Sequence, residues 1–118
     1  MSLKKILYVD DDTDIRETMK MYFELHDYPI EVAEEGRDAL SKLEKEKFDV
    51  VITDINMPNG MGGIDLIQEM FKKGLEVPIL VVSGYVNNDE IVKKIGKNVL
   101  YFNKPIDFDK LIEAINKV

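Results

Sequence analysis

The stretch Val50-Val51-Ile52-Thr53-Asp54-Ile55-Asn56-Met57-Pro58-Asn59-Gly60-Met61-Gly62-Gly63 decides the fold. Its first four residues are apolar or β-branched on both parities, as a strand covered on both faces requires. The strand halts at a lone carboxylate, Asp54, and a loop rich in Asn, Pro and Gly follows. A buried parallel strand delivering an acid to its carboxyl end is the expectation. The rest of the chain tests whether other strands do the same.

They do, on both sides. Ile6-Leu7-Tyr8-Val9 is an apolar run ending at Asp10-Asp11-Asp12. Ile79-Leu80-Val81-Val82 starts after Pro78 and ends at Ser83-Gly84, and Val99-Leu100-Tyr101-Phe102 ends at Asn103-Lys104-Pro105. Ile30-Glu31-Val32-Ala33 is a weaker strand. Amphipathic segments lie between: Ile15, Met19, Tyr22 and Phe23 recur at helical spacing, predicting a helix from about Thr13 to Leu25. Ala39, Leu40 and Leu43 mark a second helix after Gly36, and Ile64, Ile67, Met70 and Phe71 a third. A short polar helix is predicted around Asp89 to Ile95, and Phe108, Leu111, Ile112 and Ile115 mark a closing one. Strands alternating with helices of this length predict an α/β fold with a parallel sheet.

Bulk properties bound the function. The 118 residues suffice for one domain, read as spanning 1–118, and the 45% hydrophobic content can build a core. A net charge of -7 repels nucleic-acid phosphates, so no direct nucleic-acid partner is expected. With no cysteine, disulfides, thiolate metal sites and thiol nucleophiles are excluded, which suits a reducing cytoplasm. No apolar run approaches the roughly 20 residues of a membrane span, and no signal-peptide pattern opens the chain.

In an open parallel sheet, sites form at the carboxyl ends of strands. Asp10, Asp11, Asp54, Ser83 and Lys104 should therefore converge on one edge. Clustered carboxylates repel unless a cation compensates, and a hard, oxygen-preferring ion that keeps its waters, Mg2+, answers that need. The set suggests phosphoryl transfer. Asp54 would act as a carboxylate nucleophile, Lys104 would neutralise charge, Ser83 would donate a hydrogen bond, and Gly84 would leave room.

With these residues the sequence resembles the receiver domain of two-component response regulators, of the chemotaxis-regulator type, over essentially its whole length. The resemblance rests on Val9-Asp10-Asp11, on Asp54 followed by Asn56-Met57-Pro58, on Ser83-Gly84, and on Tyr101 three residues before Lys104-Pro105. It implies a flavodoxin-like doubly wound (βα)5 domain with five parallel strands in order 2-1-3-4-5. It implies phosphorylation at Asp54, a metal site of Asp10, Asp11, Asp54 and the backbone carbonyl of Asn56, and a switch pair of Ser83 and Tyr101. It also implies a cis Lys104-Pro105 bond. The implied partners are a histidine kinase or phosphotransfer protein, met through Ile15, Arg16 and the first helix, and a downstream protein target. That target would read the polar helix, the fifth strand and the closing helix. A monomer or a phosphorylation-dependent dimer is expected, signalling as a switch rather than primarily as an enzyme.

Two departures from the family pattern stand out. The loop after Asp54 is one residue longer, with Gly62 where an Asp is usual, and the segment from Ser83 to Lys104 is slightly short. Asp12 and Asp14 suit a helix start. An EF-hand loop fails because its sixth and twelfth places hold Ile15 and Met21. His26, the single histidine, reads as a surface residue. A haloacid-dehalogenase-type phosphatase could use Asp10 and Asp12, but Asp54 would then go unexplained, and a phosphorylation-independent interaction module would leave the acidic pair, hydroxyl and lysine without a role.

Overall fold

The computed structural model describes residues 3–55, 57–58, 60–84 and 99–118. Within them five strands, β1 (Ile6–Val9), β2 (Ile30–Ala33), β3 (Val50–Asp54), β4 (Ile79–Ser83) and β5 (Val99–Asn103), form one sheet in the order β2-β1-β3-β4-β5. Each neighbouring pair is parallel. Four helices are described: α1 (Thr13–Leu25), α2 (Gly36–Lys45), α3 (Gly63–Lys72) and α4 (Phe108–Lys117). The polar helix expected around Asp89 to Ile95 lies outside the described residues.

Alternation along the strands builds two cores. Leu7, Val9, Val51, Ile79 and Val81 face α2 and α3, packing with Leu43, Leu66, Ile67 and Met70. Ile6, Tyr8, Val50, Ile52, Leu80 and Val82 face the other way, meeting Met19 and Phe23 of α1 and Leu111 and Ile115 of α4. The sheet is thus covered on both faces, which explains why its central strands are apolar on both parities. Edge strand β2 is only partly buried over Ile30–Val32, the physical counterpart of its weaker apolar signal.

Helix starts follow capping chemistry. Asp12 caps α1, its Oδ1 accepting from the backbone N–H groups of Asp14 and Ile15 at 2.9 and 3.2 Å. Glu35 caps α2 by accepting from the Asp38 N–H at 2.8 Å. α3 begins one residue earlier than the glycine-rich composition suggests, at Gly63, and its N-cap Gly62 contributes no side-chain bond. Gly63 holds its place for another reason: a Cβ there would run into the backbone carbonyl of Asp54. The helix turns in against the end of β3, and Gly63 N–H donates to the Ile55 carbonyl at 2.9 Å. Phe71, expected on the inner face of α3, is instead 48% exposed at that helix's last turn.

Because the clash at Gly63 is with backbone rather than a yielding side-chain tip, Gly63→Ala is expected to lower stability by about 1–3 kcal/mol, the range for overpacking. Urea unfolding checks this. A variant as stable as wild type would show that the α3 start can slide away from β3 without loss.

Candidate functional site

Parallel register brings the polar strand ends together. Val9 pairs with Thr53, so one step further Asp10 stands beside Asp54. Asp54 pairs with Val82, and Ser83 with Asn103, the residue before Lys104. The Lys104 backbone N–H donates to the Ser83 carbonyl at 2.9 Å, tying the ends of β5 and β4. The Lys104-Pro105 bond is cis, as the resemblance implied.

The side chains then meet across the edge. Lys104 Nζ donates to Asp54 Oδ2 at 2.7 Å and lies 3.8 Å from Asp10 Oδ2. Asp10 is almost wholly buried, at 1% exposure. Its Oδ1 accepts from the Asp12 N–H at 3.0 Å, while its Oδ2 is buried without a hydrogen-bond partner. Burial pushes the Asp10 carboxyl above the usual carboxylate range; the Asp12 N–H and Lys104 oppose this, and the charges of Asp54 and Asp11 reinforce it. Burial alone would depress the Lys104 ammonium, but the hydrogen bond and charge of Asp54, with Asp10 behind it, carry it upward. Beneath them burial raises the Tyr8 phenol, and the charges of Asp10 and Asp54 raise it further.

The structure therefore gathers Asp10, Asp54 and Lys104 directly and sets Asp11 next to Asp10. Ser83 is buried at the end of β4, its backbone joined to Lys104. At Gly84 a Cβ would meet no described atom within 4 Å. Asn56 lies outside the described residues. Tyr101 is partly buried against the α2–α3 core, and its hydroxyl is enclosed without a hydrogen-bond partner. Asp12 caps the start of α1 through its Oδ1, while its backbone N–H donates to Asp10. His26 is exposed at the end of α1, as expected.

Among the described residues no three carboxylates or imidazoles are gathered as a ready cage for a metal. The donor chemistry nonetheless fits a hard divalent cation. The carboxylates of Asp10 and Asp54 face one ammonium, and a buried oxygen of Asp10 lacks a hydrogen-bond donor.

Three supporting contacts reach backbone groups that the sequence does not single out. Thr53 is buried, and its hydroxyl donates to the Asp54 carbonyl at 2.9 Å. Arg16 reaches back to the Asp10 carbonyl at 2.8 Å, locking the turn between β1 and α1. Glu35, besides capping α2, accepts from the Met61 N–H at 2.7 Å in the loop that follows Asp54. For Glu35 the one available signal was an acidic residue three places before Asp38, at the mouth of a helix.

Asp10→Asn removes a buried charge whose partners are incomplete, so it is expected to stabilise the fold by on the order of 1 kcal/mol in chelator-treated buffer at pH 7. The sign follows from the direction of the shift: an acid with a raised folded-state pKa destabilises the fold once ionised. Urea unfolding of both proteins tests it. A less stable variant would mean that attraction to Lys104 outweighs burial.

Comparison with known proteins places this geometry. A family model described as response regulator receiver domain matches residues 6–116. The chain is similar to the response regulator protein PilR of Pseudomonas aeruginosa, 29% identical over 116 residues covering 98% of this chain and 26% of PilR. It is similar to sporulation initiation phosphotransferase F of Bacillus subtilis, 32% identical over 119 residues covering 99% of this chain and 94% of that protein. Among solved structures it is similar to response regulator protein TrrA of Thermotoga maritima in complex with Mg2+ and BeF. There the TM-score is 0.82 and the identity 34%, over 98% of each chain. The chain spans between about a quarter and a half of the length of several curated relatives it matches, PilR included.

Proposed function

The chain belongs to the response regulator receiver domain family of two-component systems, and from that premise we propose that it is a phosphoacceptor switch using Asp54. The observation that carries the proposal is Lys104, whose ammonium bridges Asp54 Oδ2 at 2.7 Å and Asp10 Oδ2 at 3.8 Å on the carboxyl edge of the sheet.

In the proposed reaction an Asp54 carboxylate oxygen attacks the phosphorus of a phosphohistidine on a kinase or phosphotransfer protein. The P–N bond breaks, its electron pair leaves with the imidazole, and an aspartyl phosphate remains. Lys104 balances charge on the carboxylate and the incoming phosphoryl oxygens, and the Ser83 hydroxyl donates to one of them. Asp10, Asp11, Asp54 and the Asn56 carbonyl are the residues that would hold Mg2+, which when bound supplies positive charge to the transferring group. The Mg2+ and BeF bound to TrrA support the assignment by similarity.

Ser83 and Tyr101 form the proposed switch. They lie on neighbouring strands two register steps apart, Val81 being the partner of Tyr101, and Tyr101 packs in the same core as Val81. A displacement of Ser83 toward the phosphoryl group is thereby felt where the Tyr101 ring sits. For the donor protein, the groove of about 310 Å³ lined by Asp14, Ile15, Thr18, Met19, Lys104, Pro105 and Ile106 opens beside the ammonium. A cytoplasmic setting and a protein target complete the reading. Among the described residues no helix is long and apolar enough to cross a membrane.

Incubation with acetyl phosphate and Mg2+ is expected to add one phosphoryl group to the wild-type chain and none to Asp54→Asn, read by intact-protein mass. Equal modification of both would assign the acceptor elsewhere.

A further inference from the structure

Glu35 links two parts of the molecule that the proposed chemistry treats separately. Its Oε1 accepts from the Asp38 N–H at 2.8 Å, closing the first turn of α2. Its Oε2 accepts from the Met61 N–H at 2.7 Å, in the loop between Asp54 and α3. The next residue completes the clasp, because Gly36 N–H donates to the Met61 carbonyl at 2.8 Å. Met61 thus has both its backbone groups bonded to the start of α2.

Two glycines make the approach close enough. A Cβ on Gly36 would lie 2.6 Å from Met61 Cγ and 2.8 Å from its Sδ. A Cβ on Gly60 would overlap the Glu35 carboxylate. The loop is pinned at its far end as well, where Gly63 N–H donates to the Ile55 carbonyl at 2.9 Å. The chain leaving Asp54 is therefore held at both ends: by β3 and the α3 start, and by Glu35 across the top of α2.

We infer that Glu35 is a positioning residue for the phosphoacceptor site, acting through the β3–α3 loop. The inference rests on the reading of Asp54 as phosphoacceptor. The loop it clamps begins at Asp54 and contains residue 56, whose carbonyl that reading gives to Mg2+. A helix cap alone needs one carboxylate oxygen; the second is spent on a backbone amide 26 residues away. Loss of the clamp frees the loop to depart from the geometry the cation requires, as loss of an outer-shell partner does at other metal sites.

Three variants separate this role from simple helix capping. Glu35→Ala removes both bonds. Gly60→Ala attacks the clamp from the loop side, and folding tolerates it because the atoms displaced are the end of a flexible side chain. Asp38→Ala is the control. It deletes one negative charge and the acceptor for Glu34 N–H at the same helix end, yet leaves the Met61 contact in place. Each full-length chain is titrated with Mg2+ by calorimetry, phosphorylated with acetyl phosphate, melted, and followed by hydrogen exchange at the Met61 and Gly63 amides.

Glu35→Ala and Gly60→Ala are expected to weaken Mg2+ binding on the order of tenfold, to slow phosphorylation, and to speed exchange at Met61. Asp38→Ala is expected to lower the melting temperature while keeping Mg2+ affinity and phosphorylation rate near wild type. If Glu35→Ala matches Asp38→Ala in both Mg2+ affinity and rate, Glu35 is only a cap and the inference is overturned. A wild-type chain that takes no phosphoryl group overturns the reading itself, and the inference with it. The two failures are distinguished by the wild-type lane alone.

Discussion

Everything at the working edge of this molecule depends on one ammonium placed among carboxylates. Asp10 and Asp54 are like charges gathered around that ammonium and repel one another, and Asp10 is buried besides. Lys104 answers part of this, within 2.7 Å of Asp54 and 3.8 Å of Asp10. Its own burial would favour the neutral amine, so its charge is sustained by the acids it serves. One ammonium against Asp10, Asp11 and Asp54 leaves an excess of negative charge. That imbalance is the physical opening for a divalent cation, and a phosphoryl group would in turn need the cation's charge.

The sheet is what makes the arrangement possible. Parallel pairing puts every strand's carboxyl end on one side, and the β2-β1-β3-β4-β5 order sets β1 and β4 on either side of β3. Asp10 after β1, Asp54 of β3 and Ser83 of β4 thus become neighbours through register, with Lys104 closing from β5. Helices on both faces seal the strands into two cores, so the edge cannot shift residue by residue. The cores are apolar and the edge is polar, so stability and chemistry are drawn from different parts of each strand.

How much of this was legible follows from the range of each interaction. Strand identity was readable because burial on both faces leaves no polar position in Val50-Val51-Ile52 or Ile79-Leu80-Val81-Val82. The convergence of Asp10, Asp54 and Lys104 was readable because strand ends in a parallel sheet share an edge whatever the loops do. The Asp12 cap was readable too, since the bond spans two or three residues. Arg16, Thr53 and Glu35 were not. Their partners are backbone groups, which look alike at every position in a sequence, and which one a side chain reaches depends on how loops return. Phe71 shows the complementary limit: helical spacing groups it with Met70, yet Met70 is fully buried and Phe71 is largely exposed.

The loop after Asp54 joins these two levels. It is rich in glycine, and glycine in a loop ordinarily adds freedom. Here the added freedom is removed by contacts. Gly60 lies flat against the Glu35 carboxylate, Met61 packs on Gly36, and Gly63 comes hard against the carbonyl of Asp54 itself. Glycine at these places serves close approach, because each would-be Cβ points into a neighbour rather than into solvent. Reading glycine richness as flexibility inverts the case: the same composition that marks a loop in the sequence lets α2 grip it in the fold. A loop so held is only as steady as the element that anchors it, which must itself be rigid. α2 is such an element, since Ala39, Leu40 and Leu43 bury its inner face in the core. The Asp54 end of β3 is thus steadied from the side by a helix with no acid or base of its own in the site.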